Sequence, residues 1–261
     1  MLIDSHTHFD LMIEDKVATE DSLINSFSQN QIEYIVQIAI DESNLLWSRE
    51  FALKYKDRGV FYTLGIHPSS KADEVALKKL SSIVEEDASS SHRNLIFGIG
   101  ECGLDFYRMR QSEDMQRSSF EYQIDLALKY DLPLIVHLRD ALDEGYEIIK
   151  RKSISKGVMH CFPGDSSWAK KFLDLGFYIS FAGNLTYKKA VELHDALAYV
   201  PLDRIFFETD APFLTPVPLR GKPNLPEYIS YTYKFAADMR KIPLRSLEDK
   251  VAENFSRLVS L

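Results

Sequence analysis

The chain has 261 residues, 45% hydrophobic and 27% charged, with 11 Gly and 10 Pro, an ordinary globular balance. Its net charge of −8 argues against a basic surface that coats nucleic acid, though not against a site that grips one or two phosphates. No apolar run approaches the roughly 20 residues of a membrane-spanning helix, and the opening MLIDSHTHFD lacks the features of a secretory signal, so a cytoplasmic protein is expected.

Short β-rich stretches alternate with amphipathic ones from end to end. Strands are expected at residues 2–5, 34–38, 61–64, 96–99, 134–136, 158–159, 177–180 and 205–208. SEDMQRSSFEYQIDLALKY and SSWAKKFLDLG repeat apolar residues at helical spacing; Gly176 and Pro201 each end a helix, and a final helix is expected over 246–259. Eight strands, each followed by a helix, imply an α/β fold with a parallel sheet, and eight is the number that closes a (β/α)8 TIM barrel. No linker or repeat divides residues 1–261, so one domain is expected, with an open doubly wound sheet as the alternative.

Five of the seven histidines fall at or just past predicted strand ends: His6 and His8, His67, His137 and His160. Glu101 follows the fourth strand and Asp210 the eighth. In such a barrel the active site gathers at that face from the ends of several strands. Alternation puts His6 and His8 on one side of an extended segment, where two imidazoles can hold one borderline-soft divalent ion. Glu101, between Gly100 and Gly103, has two oxygens with which to bridge a pair of ions. Glu208 and Asp4 share the inward phase of Asp210 and of His6, and are expected as buried acceptors for histidine N–H groups. His92 and His194 are expected at the surface. Cys102 and Cys161 each follow an expected ligand and are expected as packed, reduced thiols.

The segments DSHTHFD, GIHP, GECGLDFY, PLIVH, HCFPG and ETDAPFLTP, with PLRGKPNLPEYI and ENFSRL further on, resemble the TatD-related deoxyribonucleases in content and order across almost the whole chain. The resemblance implies a metal-dependent hydrolase barrel with one ion held by His6, His8, Glu101 and Asp210. Glu101, His137 and His160 would hold the second. It also implies that His67 contacts the scissile phosphate and that Arg139 adds a charged contact to substrate, a surface ion pair being the alternative for Arg139. One departure is Pro223, which follows Lys222 where many relatives carry a further basic residue; Arg220 and Asn224 remain.

The reaction so implied is hydrolysis of DNA phosphodiesters by a metal-activated water, with Asp210 accepting its proton and no obligate protein partner. Histidine donors suit Zn2+ or Mn2+ better than Mg2+, so the first two are expected to bind more tightly. Amidohydrolase barrels often bridge their metals with a modified lysine, and none stands at the end of strand four or five. An esterase acting on aminoacyl-tRNA keeps the same fold and centre and is the alternative chemistry. A binding protein on a silent barrel would have lost a ligand, and every position is filled.

Overall fold

The computed structural model describes residues 1–259. Its strands are β1 (Leu2–Thr7), β2 (Ile32–Gln37), β3 (Val60–Leu64), β4 (Ile96–Asp105), β5 (Leu134–Arg139), β6 (Gly157–Met159), β7 (Tyr178–Phe181) and β8 (Ile205–Phe207). Each pairs in parallel with the next in chain order, with helices in the connections. A parallel sheet covered on both faces needs apolar residues throughout rather than in alternation. Accordingly all five residues of β3 and all ten of β4 are buried. The helix Glu113–Tyr130 starts where the Ser112 side chain accepts the Met115 N–H, and Ser166–Asp174 starts where Asp165 accepts from Ser167 and Trp168.

The sheet curls until β1 meets β8, which rules out the open-sheet alternative. This seam is held by isolated bonds. The Asp210 N–H donates to the His6 carbonyl at 2.9 Å and the His8 N–H to the Ala211 carbonyl at 2.9 Å. Ser5 Oγ donates to the Phe207 carbonyl at 3.1 Å. Asp4 contributes most, accepting the Thr209 N–H at 2.9 Å, the Thr209 hydroxyl at 2.6 Å and the His6 N–H at 3.3 Å. Asp4 therefore corrects its sequence assignment: it clasps two strands through backbone and hydroxyl donors and accepts from no histidine ring. Burial pushes its carboxyl up to about 8, against the opposing pull of the Thr209 bonds.

The opposite end of the barrel is plugged by Phe255, from the terminal helix Leu244–Val259. Its ring packs against Tyr34 and Phe61 at 5.0 Å and Phe97 at 5.3 Å, all near the N-terminal ends of their strands. In the same helix Asn254 is fully buried and donates to the carbonyls of Leu202 and Ile205, tying the helix to the start of β8.

Three strands run two or more residues past their expected ends. β1 continues to Thr7, β5 to Arg139 and β4 to Asp105 rather than stopping at residue 99. The β4–β5 register slips between Ile99 and Cys102, a bulge that re-aims the side chains beyond it. Glu101 and His137 thus lie within strands, not after them. Gly103 is required there: at φ +143° a Cβ would stand 1.9 Å from the His137 carbonyl oxygen. β3, β6 and β8 end early enough that His67, His160 and Asp210 lie on the loops that follow.

Candidate metal centre

At the C-terminal mouth the Glu101 carboxylate divides its two oxygens between two groups of histidines. Oε2 lies 3.3 Å from His6 Nε2 and 4.0 Å from His8 Nε2. Oε1 lies 2.9 Å from His137 Nδ1, 3.4 Å from His160 Nε2 and 3.5 Å from His67 Nε2. Asp210 closes the first group, its Oδ1 3.4 Å from His8 Nε2 and 3.7 Å from His6 Nε2. The two groups touch, the rings of His6 and His160 stacking at 3.5 Å. All six side chains picked out as ligands from the sequence are therefore brought together, with His67 at the edge of the second group. Asp210 takes a left-handed backbone (φ 53°), uncommon for a residue with a side chain, and this turns its carboxylate toward His8.

Further groups orient the rings. Glu208 is wholly buried; its Oε1 lies 2.7 Å from His160 Nδ1 and accepts the Cys161 N–H at 2.8 Å, and its Oε2 accepts the Ser180 hydroxyl at 2.5 Å. With Nδ1 committed to Glu208, His160 presents Nε2 to the centre. Burial disfavours a charged His160, yet Glu208 and then Glu101 outweigh it and raise the ring to about 10. Asp105 faces His137 from the corresponding position, but less closely: its Oδ2 lies 3.5 Å from His137 Nε2, and neither atom has a hydrogen-bond partner. Burial would raise Asp105, but the His137 ring and the Arg108 N–H prevail and bring it to about 2.

Asp105 is the residue that sequence reading passed over. Its signal was present: Glu101, Gly103 and Asp105 share one phase along β4, but that phase is visible only once the strand is known to continue past Ile99.

His67 differs from the other rings. Its Nδ1 accepts the Ser69 N–H at 2.9 Å, so a neutral ring carries its proton on Nε2 and turns a donor toward the centre rather than a lone pair. Burial keeps it neutral by lowering it to about 3, despite the nearby Glu101. That tautomer suits an oxyanion better than a cation.

Among the described residues Arg139 forms no ion pair. Its guanidinium lies over the Tyr107 ring, 3.9 Å from the centroid. Asn224 is buried and donates to the carbonyls of Thr209 and Phe213, so its amide pins the loop after β8. His92 and His194 are half-buried rather than at the surface. Nδ1 of His92 lies 3.2 Å from Asp87, and Nε2 of His194 pairs with the Leu185 carbonyl at 2.9 Å. Cys102 is buried in the barrel wall and Cys161 half-buried, both as free thiols.

The donor set fits divalent cations. Both nitrogens of His6 and Nδ1 of His8 are buried without a hydrogen-bond partner, a costly condition for polar atoms that a cation would relieve at His6 Nε2. His6, His8 and Glu101 present ligand atoms within 4.8 Å of one another, as do Glu101, His137 and His160. Imidazole and carboxylate donors in this mixture suit zinc- or manganese-class ions. Among the described residues no helix is long and apolar enough to cross a membrane.

Comparison with known proteins agrees with this chemistry. Residues 3–260 match the family described as TatD related DNase. The chain is 33% identical to the metal-dependent hydrolase YcfH of Escherichia coli, over 98% of this chain and 95% of the relative. It is 32% identical to the metal-dependent hydrolase YabD of Bacillus subtilis, over 99% and 98%. Among solved structures, the TatD homologue YjjV of Escherichia coli superposes with a TM-score of 0.90 at 28% identity, covering 100% of this chain and 98% of that one. An organophosphorus hydrolase of Deinococcus radiodurans shares the fold alone, with a TM-score of 0.67 at 12% identity, covering 99% and 92%. The chain therefore belongs to the TatD family of metal-dependent hydrolases.

Proposed function

We propose that the protein is a two-metal deoxyribonuclease, hydrolysing phosphodiester bonds at the barrel mouth. The observation that carries this reading is the division of Glu101, one oxygen toward His6 and His8 and the other toward His137 and His160. A carboxylate between two histidine sets is the arrangement expected of a bridging ligand. His6, His8, Glu101 and Asp210 would hold one ion, and Glu101, His137 and His160 the other. When bound, a pair of such ions lowers the pKa of water and offsets charge on phosphoryl oxygens.

The side chains divide the remaining work. Asp210, on the open side of the first group, orients the attacking water and takes its proton. His67 donates Nε2–H to a non-bridging oxygen of the phosphate. Arg139, free of carboxylate partners among the described residues, supplies a charge-assisted hydrogen bond to the same group. Glu208 and Asp105 hold the two ligand rings in place.

The test compares a labelled oligonucleotide with an aminoacyl ester as substrates, each with Mg2+, Mn2+ or Zn2+ and with chelator. Chelator-sensitive cleavage of the oligonucleotide supports the reading. Turnover of the ester alone would replace it with the deacylase chemistry.

A further inference from the structure

Few large apolar side chains of this protein face solvent, and their positions are informative. Of the three aromatic ones among the exposed large hydrophobics, Tyr107, Tyr199 and Phe213, two stand on loops around the metal centre. Tyr107 is 64% exposed and Phe213 47%, values that a core-packing role does not explain.

Both are tied to the centre through backbone. The Tyr107 N–H donates to Asp105 Oδ1 at 3.1 Å, and the other oxygen of that carboxylate faces His137. The Phe213 N–H donates to the Asp210 carbonyl at 2.8 Å, and its ring lies 6.2 Å from that of His8. The two aromatics therefore flank the centre, one beside each histidine group. The Arg139 guanidinium covers one face of Tyr107, and Arg220 lies 4.4 Å from the Tyr187 ring centroid in the neighbouring loops. Neither arginine has a carboxylate within 4.0 Å among the described residues. In a chain of net charge −8, unpaired guanidinium groups beside the exposed Tyr107 and the half-buried Tyr187 are a local exception to the acidic surface.

Aromatic faces combined with unpaired arginines form the surface on which unpaired nucleobases stack while their phosphates are neutralised. We propose that Tyr107, backed by Arg139, and Phe213 are base-stacking platforms for the nucleotides on either side of the scissile phosphate. The inference rests on the nucleic-acid reading of the site and adds to it how the strand is gripped. Stacking needs bases free of a partner, so a duplex must open locally to engage. With its guanidinium carbon over Tyr107 and no carboxylate within 4.0 Å among the described residues, Arg139 keeps N–H donors available for phosphate.

The test is binding rather than turnover. Fluorescence anisotropy with the metal-loaded full-length protein would compare a phosphorothioate oligo(dT), which resists hydrolysis, with an abasic phosphorothioate strand of equal length. The wild type is expected to bind the base-bearing strand more tightly. Tyr107→Ala and Phe213→Ala should each weaken oligo(dT) binding roughly 5- to 100-fold, the range of one lost base stack, with a much smaller effect on the abasic strand. Tyr107→Phe keeps the ring and should retain affinity, whereas Arg139→Lys keeps the charge but loses the guanidinium over the ring and should not. Equal affinity of the wild type for the two strands would overturn the proposal, as would alanine variants that bind oligo(dT) normally or lose both strands equally. Metal-dependent cleavage of ordinary oligonucleotides, measured separately, reports whether the nuclease reading itself stands.

Discussion

Glu208→Gln isolates how a buried carboxylate that is not itself a ligand sets the strength of one metal position. Gln has the shape of Glu, and its carbonyl oxygen can still accept the Cys161 N–H, at 2.8 Å in the native protein, and lie against His160 Nδ1, 2.7 Å away. Its amide would meet Ser180 Oγ, which can turn to accept because Ser5 Oγ, 3.1 Å away, is free to take the Ser180 proton. The fold should therefore survive, and what is lost is the negative charge that makes His160 a strong donor. Replacing such an outer partner costs roughly 10- to 100-fold in metal affinity, or about 1.4–2.7 kcal/mol. The loss should fall on the ion shared by Glu101, His137 and His160. Titrating Zn2+ or Mn2+ against a chromophoric chelator should then show one site near native affinity and one weakened. Glu208→Ala should be worse in another way, since it strands His160 Nδ1 and the Cys161 N–H at about 1–3 kcal/mol each, and should lower the unfolding midpoint as well. A Glu208→Gln protein that bound two ions with native affinity would refute the assignment of Glu208 as the partner that tunes His160.

Asp210→Asn should lower kcat by at least about 100-fold, the usual scale of lost general-base assistance, while KM changes only a few-fold; normal turnover would remove Asp210 from the reaction. Ion uptake should release protons. In the ion-free centre His160 is held protonated by Glu208 and Glu101 against the effect of burial, with a value of about 10 against an ordinary 6.5. That pairing stabilises the ion-free fold fully below 6.5 and is lost as pH rises toward 10, and a cation competes with the same Nε2 proton. Metal affinity should accordingly climb with pH across this window, and calorimetry in buffers of different ionisation enthalpy should detect the released proton; a pH-independent affinity would contradict it. Phe255→Ala, at the far end of the barrel, should cost about 3–5 kcal/mol in denaturant unfolding yet leave metal affinity of the folded protein unchanged.

Much of this was legible in the chain itself. Residue type and spacing marked His6, His8, Glu101, His137, His160 and Asp210, because a barrel of alternating strands and helices delivers every strand end to one face, whatever the distance in sequence. The same alternation identified Glu208 as an inward carboxylate needing a partner. Gly103 could be read as a close-approach position, since no side chain fits where β4 touches β5.

Other roles emerged only from contacts between distant segments. Asp4 was in phase with His6, but the seam brought Thr209 rather than an imidazole within its reach. Asp105 became the partner of His137 because β4 bulges and runs on past Ile99. Arg139 found a tyrosine ring instead of a carboxylate. Local alternation in a strand determines which side a residue faces, and that much is written in the sequence. What waits for it there depends on register and closure, which are settled only when eight strands pack together.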